Sequence, residues 1–290
     1  MTLLQDAGFS KEELETYKRF KDKISNRLDI VLQEYLNKKI NMSCAFQKAH
    51  DLFPDIHPYT VDFVFVMECI PFMQKEYEQR SLPYKLLVDT VADFKRKLHE
   101  CLASTGIFGT AVGWWFDGYI FMKRLTFFRL QYDIKEYDGE NVEYKEYTLK
   151  KGDFVLDCHI PSGSPLLEND CITSYREAWE FFKNDLKDGI LPIICWSWLL
   201  TPSYMECFGE NSNIGKFARH FHIYTTDIDE KLKVEVLSHV FNTYSVTDID
   251  KLPDTTSLQR KFKWYLKLDK TFGNGAGVIL FDGKNILTKR

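Results

Sequence analysis

The period of the chain changes at Gly106, and that change limits its folds more than any other feature. Before Gly106, apolar residues return every three or four positions, as they do along one side of a helix. Tyr17, Phe20, Ile24, Leu28, Val31, Leu32 and Leu36 follow this spacing. Ser10 and Glu13 stand ahead of them as a capping box, which places a helix start at Ser10. A short helix is predicted over Ser43–Phe53, stopped by Pro54, with Pro54–Pro58 as a turn. Tyr59–Arg80 fits a helix kinked at Pro71, or a strand over the β-branched and aromatic Val61–Val66. Pro83–Ser104 predicts another helix, with Leu86, Leu87, Val91, Phe94, Leu98, Cys101 and Leu102 on one face.

After Gly106 the chain alternates instead. Gly106, Gly109, Gly113 and Gly118 punctuate an aromatic run, and Tyr119–Lys135 and Glu143–Leu149 then read as strands joined through Asp138-Gly139. Further strands are predicted at Phe154–Ile160, Pro192–Leu200, His222–Thr226 and Gly277–Phe281. Helices are predicted at Ser174–Leu186, over Pro202–His220 with a break near Gly209, and at Ser257–Leu268. The expected architecture is α/β (α+β): a helical domain over residues 1–110, then a mixed sheet flanked by helices over residues 111–290.

Composition excludes several function classes. A net charge of -4 argues against a general nucleic-acid binder, which needs a basic face. No apolar run approaches the ~20 residues of a membrane span. The opening Met1-Thr-Leu-Leu-Gln-Asp lacks the basic and apolar regions of a secretory signal, so a cytoplasmic location is expected. Cysteines 44, 69, 101, 158, 171, 195 and 207 are odd in number and form no Cys-x-x-Cys pair, so they read as reduced thiols. His220 and His222 are spaced to share a strand face, but no nearby Cys or carboxylate completes a metal set, and no metal is expected. The 15% aromatic content serves a thick core or an apolar pocket.

Four segments resemble a bacterial family of two-domain acyltransferases with a helical N-terminal domain and a GNAT-like C-terminal domain. They are Arg129-Leu-Gln-Tyr132; His159-Ile-Pro-Ser-Gly-Ser-Pro-Leu166; Cys195-Trp-Ser-Trp-Leu-Leu200 with Ser212-Asn-Ile214; and Leu252-Pro-Asp-Thr-Thr-Ser-Leu-Gln-Arg260 followed by Gly273-Asn-Gly-Ala-Gly277. The resemblance implies transfer of an acyl group from a thioester such as acyl-CoA or acetyl-CoA to an acceptor, expected to be an amine. Donor and acceptor are then small molecules, with no nucleic acid or membrane partner, and the sequence sets no oligomeric state. The chain departs from the usual GNAT pattern at the pyrophosphate loop. The corresponding Pro161-Ser-Gly-Ser-Pro165 has one glycine and no arginine. A non-catalytic protein that keeps the cleft for a ligand or partner is therefore the alternative.

The candidate site residues follow from this frame. His159 ends the predicted central strand, where a base for the amine proton is needed; a hydrogen-bonded histidine at a strand end is the plainer alternative. Cys158 must point to the opposite face from His159, so the two make no dyad. Ser162, Gly163 and Ser164 offer a loop through which a phosphate can approach the backbone, or simply a tight turn. Ser197 is the candidate donor to the thioester oxygen, or a small core residue. The GNAT resemblance implies a tyrosine as general acid to the leaving thiolate, and Tyr204 is the candidate. Ser212 and Asn213 sit at a helix start, as cap or as phosphate and pantetheine contact. Arg260 lies in a first helical turn, against the helix dipole, which suggests an anionic partner or a solvated side chain.

Overall fold

A computed structural model describes residues 2–243, 245–268 and 270–289. The chain divides into two compact units. One holds the residues up to Phe127 together with Pro161–Gly163, and the other holds Phe128–Ile160 and the residues from Ser164 onward.

The first unit is mostly helical: α1 (Leu3–Asp6), α2 (Lys11–Leu36), α3 (Met42–Leu52), α4 (Pro58–Glu68), α5 (Ile70–Gln79), α6 (Tyr84–Thr105) and α7 (Asp117–Ile120), then strand β1 (Arg124–Phe127). The capping box forms as the sequence predicts. The Ser10 hydroxyl accepts from the Glu13 N–H at 3.2 Å, and the Glu13 carboxylate accepts from the Ser10 N–H at 2.6 Å. The segment open to two readings is helical. Residues 61–66 are buried on every side of α4, which leaves no alternation for a strand to use. Pro71 does not kink a continuous helix. It stands in the first turn of α5, where a missing N–H costs nothing. Gly106 ends α6 in the left-handed conformation, with φ at 72°.

The stretch predicted as one strand over Tyr119–Lys135 is divided. Met122 and Phe128 take positive φ, at 57° and 53°, so the chain turns at each and leaves β1 and then β2 (Leu130–Glu136). The predicted Glu143–Leu149 strand is likewise a tight hairpin of β3 (Val142–Tyr144) and β4 (Tyr147–Leu149), turning at Lys145 with φ 53°.

The second unit continues with β5 (Phe154–His159), α8 (Glu168–Phe182), β6 (Leu191–Ser197), α9 (Met205–Phe208), α10 (Asn213–Ala218), β7 (His222–Ile228), α11 (Lys233–Phe241), α12 (Ser257–Lys267) and β8 (Gly273–Phe281). Its sheet runs in the order β2-β5-β6-β8-β7. β5 is antiparallel to β2 and parallel to β6, and β8 is antiparallel to both β6 and β7. On one face Val155, Ile194, Val278 and Leu280 pack beneath Val142 and Leu149 of the β3–β4 hairpin. The other face packs against α8.

Strand limits differ most from the sequence expectation at β6 and β8. β6 stops at Ser197, whose hydroxyl accepts from the Leu199 N–H at 3.2 Å and starts a 3-10 turn over Trp198–Leu200. β8 starts at Gly273 and not at Gly277, so Gly273-Asn-Gly-Ala-Gly277 belongs to the strand. A Cβ on Gly275 would stand 2.3 Å from the Leu200 carbonyl oxygen, so only glycine lets the two backbones come this close. Helix α11 was not anticipated. Among the described residues no helix is long and apolar enough to cross a membrane.

Candidate active site

β5 and β6 pair at Leu156–Ile193 and Asp157–Ile194 only. Beyond this point β5 runs on to His159 and β6 to Ser197 with no ladder between them. Two parallel neighbours whose pairing ends before their C-terminal ends leave a break in the ladder within the sheet.

Alternation assigns the side chains around that break to faces. Tyr132 on β2 directs its hydroxyl to the Ser174 hydroxyl of α8 at 3.2 Å, so the even positions of β2 face the helix. Gln131, Asp133 and Lys135 therefore face the other way, with Val155, Asp157 and His159 of β5 across from them. Two polar pairs cross between the strands on this face. His159 Nε2 lies 3.0 Å from Asp133 Oδ2, and Lys135 Nζ lies 2.8 Å from Asp157 Oδ2. Burial lowers the pKa of the Lys135 ammonium, but the hydrogen bond and charge of Asp157 outweigh it and leave it raised. Trp196 shares this face through Ile194 and is 52% exposed, a flat apolar surface beside the polar pairs.

The His159–Asp133 pair joins a titratable group to a fixed acceptor at a strand end. The His159 side chain is 29% exposed, so the pair is within reach of a ligand. Cys158 points the other way, as expected. Burial pushes its thiol well above the ordinary value, and it shares a hydrogen bond with Cys195 behind the sheet. A thiol held in this way is no nucleophile.

The remaining predicted residues do not gather around His159. Ser197 lies one position beyond Trp196 and so faces the opposite side of the sheet, where its hydroxyl caps the Leu199 N–H. Tyr204 is fully buried among Trp198, Phe208, Phe262, Tyr265 and Phe272. Its hydroxyl accepts from the Gly273 N–H at 3.0 Å, and burial drives its pKa far up. Tyr204 is thus a core residue and is set aside as proton donor. Ser212 is the N-cap of α10, accepting from the Gly215 N–H at 2.9 Å, and Asn213 is exposed beside it. Arg260 donates to the Asp254 and Thr255 carbonyls at 2.8 and 3.1 Å. Those contacts fold it back over the preceding loop, so its misfit with the dipole needs no bound anion.

The loop after β5 is held from two sides. Arg129 donates to the Ser164 carbonyl at 2.8 Å and the Pro165 carbonyl at 3.3 Å. Ser162 donates to the Glu100 carboxylate. Gly163 takes φ 88° and a Cβ there would meet nothing within 4 Å, so its glycine serves the turn. Leu167, the residue before α8, gives the helix no side-chain cap, and its carbonyl accepts from the Asp170 N–H at 3.1 Å. Glu168 in that first turn is held by Lys289 at 2.7 Å, and that contact keeps its carboxyl below the usual range.

His220 and His222 do not converge. The His220 ring lies inside, 3.2 Å from the Tyr175 hydroxyl and 3.4 Å from Glu168. The His222 ring lies 4.9 Å from that of Tyr144. Among the described residues no group of three or more His, Cys, Asp or Glu could hold a metal. The neighbours of His159 that the sequence reading missed are Asp133 and Gln131. Their signal was present: Leu130-Gln-Tyr-Asp-Ile-Lys alternates polar residues along one face of a strand in which the others are apolar or aromatic.

Comparison with known proteins agrees with this geometry. A family model described as a GNAT-like C-terminal domain matches residues 125–279, and one described as an N-acyltransferase N-terminal domain matches residues 1–120. No curated protein matches the chain. Among solved structures, an acyltransferase in complex with decanoyl-CoA and teicoplanin is 21% identical, with TM-score 0.64, over 77% of this chain and 67% of that one. A mutant acyltransferase in complex with octanoyl-CoA is 20% identical, with TM-score 0.64, over 76% and 66% of the two chains. This chain thus spans about two thirds of the length of those proteins, and at such identity the likeness is one of fold. With both halves matched in order and the parted parallel strands in place, the chain belongs to the family of N-acyltransferases that carry a GNAT-like C-terminal domain.

Proposed function

We propose that this protein transfers an acyl group from acyl-CoA to an amine, with His159 as the proton acceptor. The observation that carries the reading is the His159–Asp133 pair, 3.0 Å apart at the end of the strand that parts from β6. Family membership supports acyl transfer, and the solved relatives bound to decanoyl-CoA and octanoyl-CoA support coenzyme A as the carrier. The transfer chemistry falls to residues 111–290, and residues 1–110 form the helical domain that goes with it. The protein works in the cytoplasm, where acyl-CoA is made and thiols stay reduced; all seven of its cysteines are unpaired.

In this reading each group has one task. An ammonium ion does not attack a thioester, so the amine must lose a proton as the new bond forms. With Nε2–H donated to Asp133, the imidazole carries its lone pair on Nδ1, which takes that proton. Asp133 holds the ring and stabilises the imidazolium that results. The exposed Trp196 ring gives an apolar surface on the same face for the substrate. The backbone of Ser162, Gly163 and Ser164 holds the phosphates of the carrier. The acceptor is a small-molecule amine.

A thermal-shift screen against acyl-CoAs of graded chain length, followed by a free-thiol assay with amine acceptors, tests the reading. A donor at 100 times its Kd should stabilise the protein by about 2.7 kcal/mol. Stabilisation by a different small molecule, with no response to any acyl-CoA, would favour a binding protein that keeps the fold without the transfer.

A further inference from the structure

We infer that Gln131 is a second catalytic residue, donating a hydrogen bond from Nε2 to the acyl carbonyl oxygen while the amine attacks beside His159. The inference rests on the acyl-transfer reading above and adds a residue to it.

Gln131 stands directly opposite His159 in the β2–β5 register. It is 1% exposed, and its Nε2 has no hydrogen-bond partner. Buried amide groups are nearly always partnered, because an orphaned donor loses its water and gains nothing in return. A methionine or leucine would fill the same space without that loss. Within the protein Nε2 makes no hydrogen bond, and an oxygen supplied from outside would give it one.

The neighbouring groups specify that oxygen. Side chains opposite each other in an antiparallel pair have Cβ atoms about 4.5–5.5 Å apart. One substrate can span that interval, with the attacking nitrogen at the His159 ring and the carbonyl oxygen at the Gln131 amide. On this face Lys135 is engaged with Asp157 and His159 with Asp133, so negative charge forming on a carbonyl oxygen here still requires a donor. Ser197 does not supply it, since its hydroxyl caps Leu199 on the other side of the sheet.

The step balances without any other reactant. The amine lone pair forms the C–N bond, and the carbonyl π electrons move onto the oxygen held by Gln131. His159 takes the amine proton. The carbonyl re-forms, the C–S bond breaks, and the proton passes from His159 to the thiolate. The products are an amide and free thiol.

The test is Gln131→Met, which keeps the length of the side chain and removes the N–H groups. The expected result is a fall in kcat of about 10²–10³-fold with an unchanged KM for acyl-CoA, as for loss of an oxyanion donor. The melting temperature should hold or rise, because an orphan donor has been removed. A residue kept for structure would give the reverse: a lower melting temperature with kcat intact. Gln131→Glu, with oxygen in place of Nε2, reads the same loss if the methionine variant does not fold. Wild-type kcat in either folded variant overturns the inference. If His159→Ala is inactive while Gln131→Met is fully active, only Gln131 is misassigned. If the wild-type protein releases no thiol from any acyl-CoA, the acyl-transfer reading fails and takes this one with it.

Discussion

Asp133 and His159 meet across two antiparallel strands, with carboxylate Oδ2 3.0 Å from ring Nε2. His159 faces Gln131 in register and reaches diagonally to Asp133, two positions along. The pair is thus set by sheet geometry and not by a loop, which is how a base is held to a fixed orientation. Asp133→Asn keeps the shape but can present an N–H to the ring and favour the wrong tautomer. Turnover should fall by about 10²–10⁴-fold with little change in melting temperature. Steady-state rates with the best acyl-CoA measure this, and an unaltered kcat would mean that Asp133 does not orient the base.

His220 should make the fold sensitive to mild acid. Burial lowers its pKa to about 4 from the usual 6.5, outweighing the Glu168 carboxylate beside it. Between those values the unfolded chain binds a proton that the folded protein refuses. Stability is therefore complete above pH 6.5 and falls as the pH drops to about 4, by roughly 3 kcal/mol in all. Urea unfolding at a series of pH values should show this slope, and His220→Gln should flatten it. A slope that survives the substitution would assign the sensitivity to other groups.

Gly275→Ala should destabilise the second unit. The added methyl would stand 2.3 Å from the Leu200 carbonyl oxygen, a backbone atom that cannot turn aside. Overpacking of this kind costs roughly 1–3 kcal/mol. Chemical denaturation reads it as a lower midpoint, and an unchanged midpoint would show that β8 and the Trp198–Leu200 turn can separate.

Arg129→Ala should loosen the loop after β5. The guanidinium holds two of its carbonyls, at Ser164 and Pro165, and a charged hydrogen bond contributes about 1.5–3 kcal/mol. Amide exchange over residues 161–167 should speed up in the variant, and Kd for acyl-CoA should rise with it. Exchange as slow as in the wild type would mean that the loop holds its shape without Arg129.

The larger periods were legible in the sequence. The 3.6-residue spacing named the long helices, and the alternation named β5 and the first part of β6, because both patterns report burial on one side. The splits at Met122, Phe128 and Lys145 were hidden. Each depends on a non-glycine residue held at positive φ by its surroundings, which local propensity does not show. The strand was expected to start only at Gly277 because the reason for Gly275, the Leu200 backbone, lies 75 positions away in the chain. In the site, His159 was legible as a titratable group at a strand end. Its partners were not, since pairing Asp133 and Gln131 with it requires the β2–β5 register. Ser197 and Tyr204 were chosen by position in the chain, and the sheet parity and the aromatic cluster place them elsewhere.

The central claim is that His159 takes the amine proton during acyl transfer, and thiol release from acyl-CoA in the presence of an amine tests it most directly. The wild-type protein should release thiol in step with amide formation. His159→Ala should bind the same donor, as judged by an equal thermal shift, yet turn over about 10²–10⁴-fold more slowly. A folded His159→Ala protein that binds the donor and releases thiol at the wild-type rate would contradict the account.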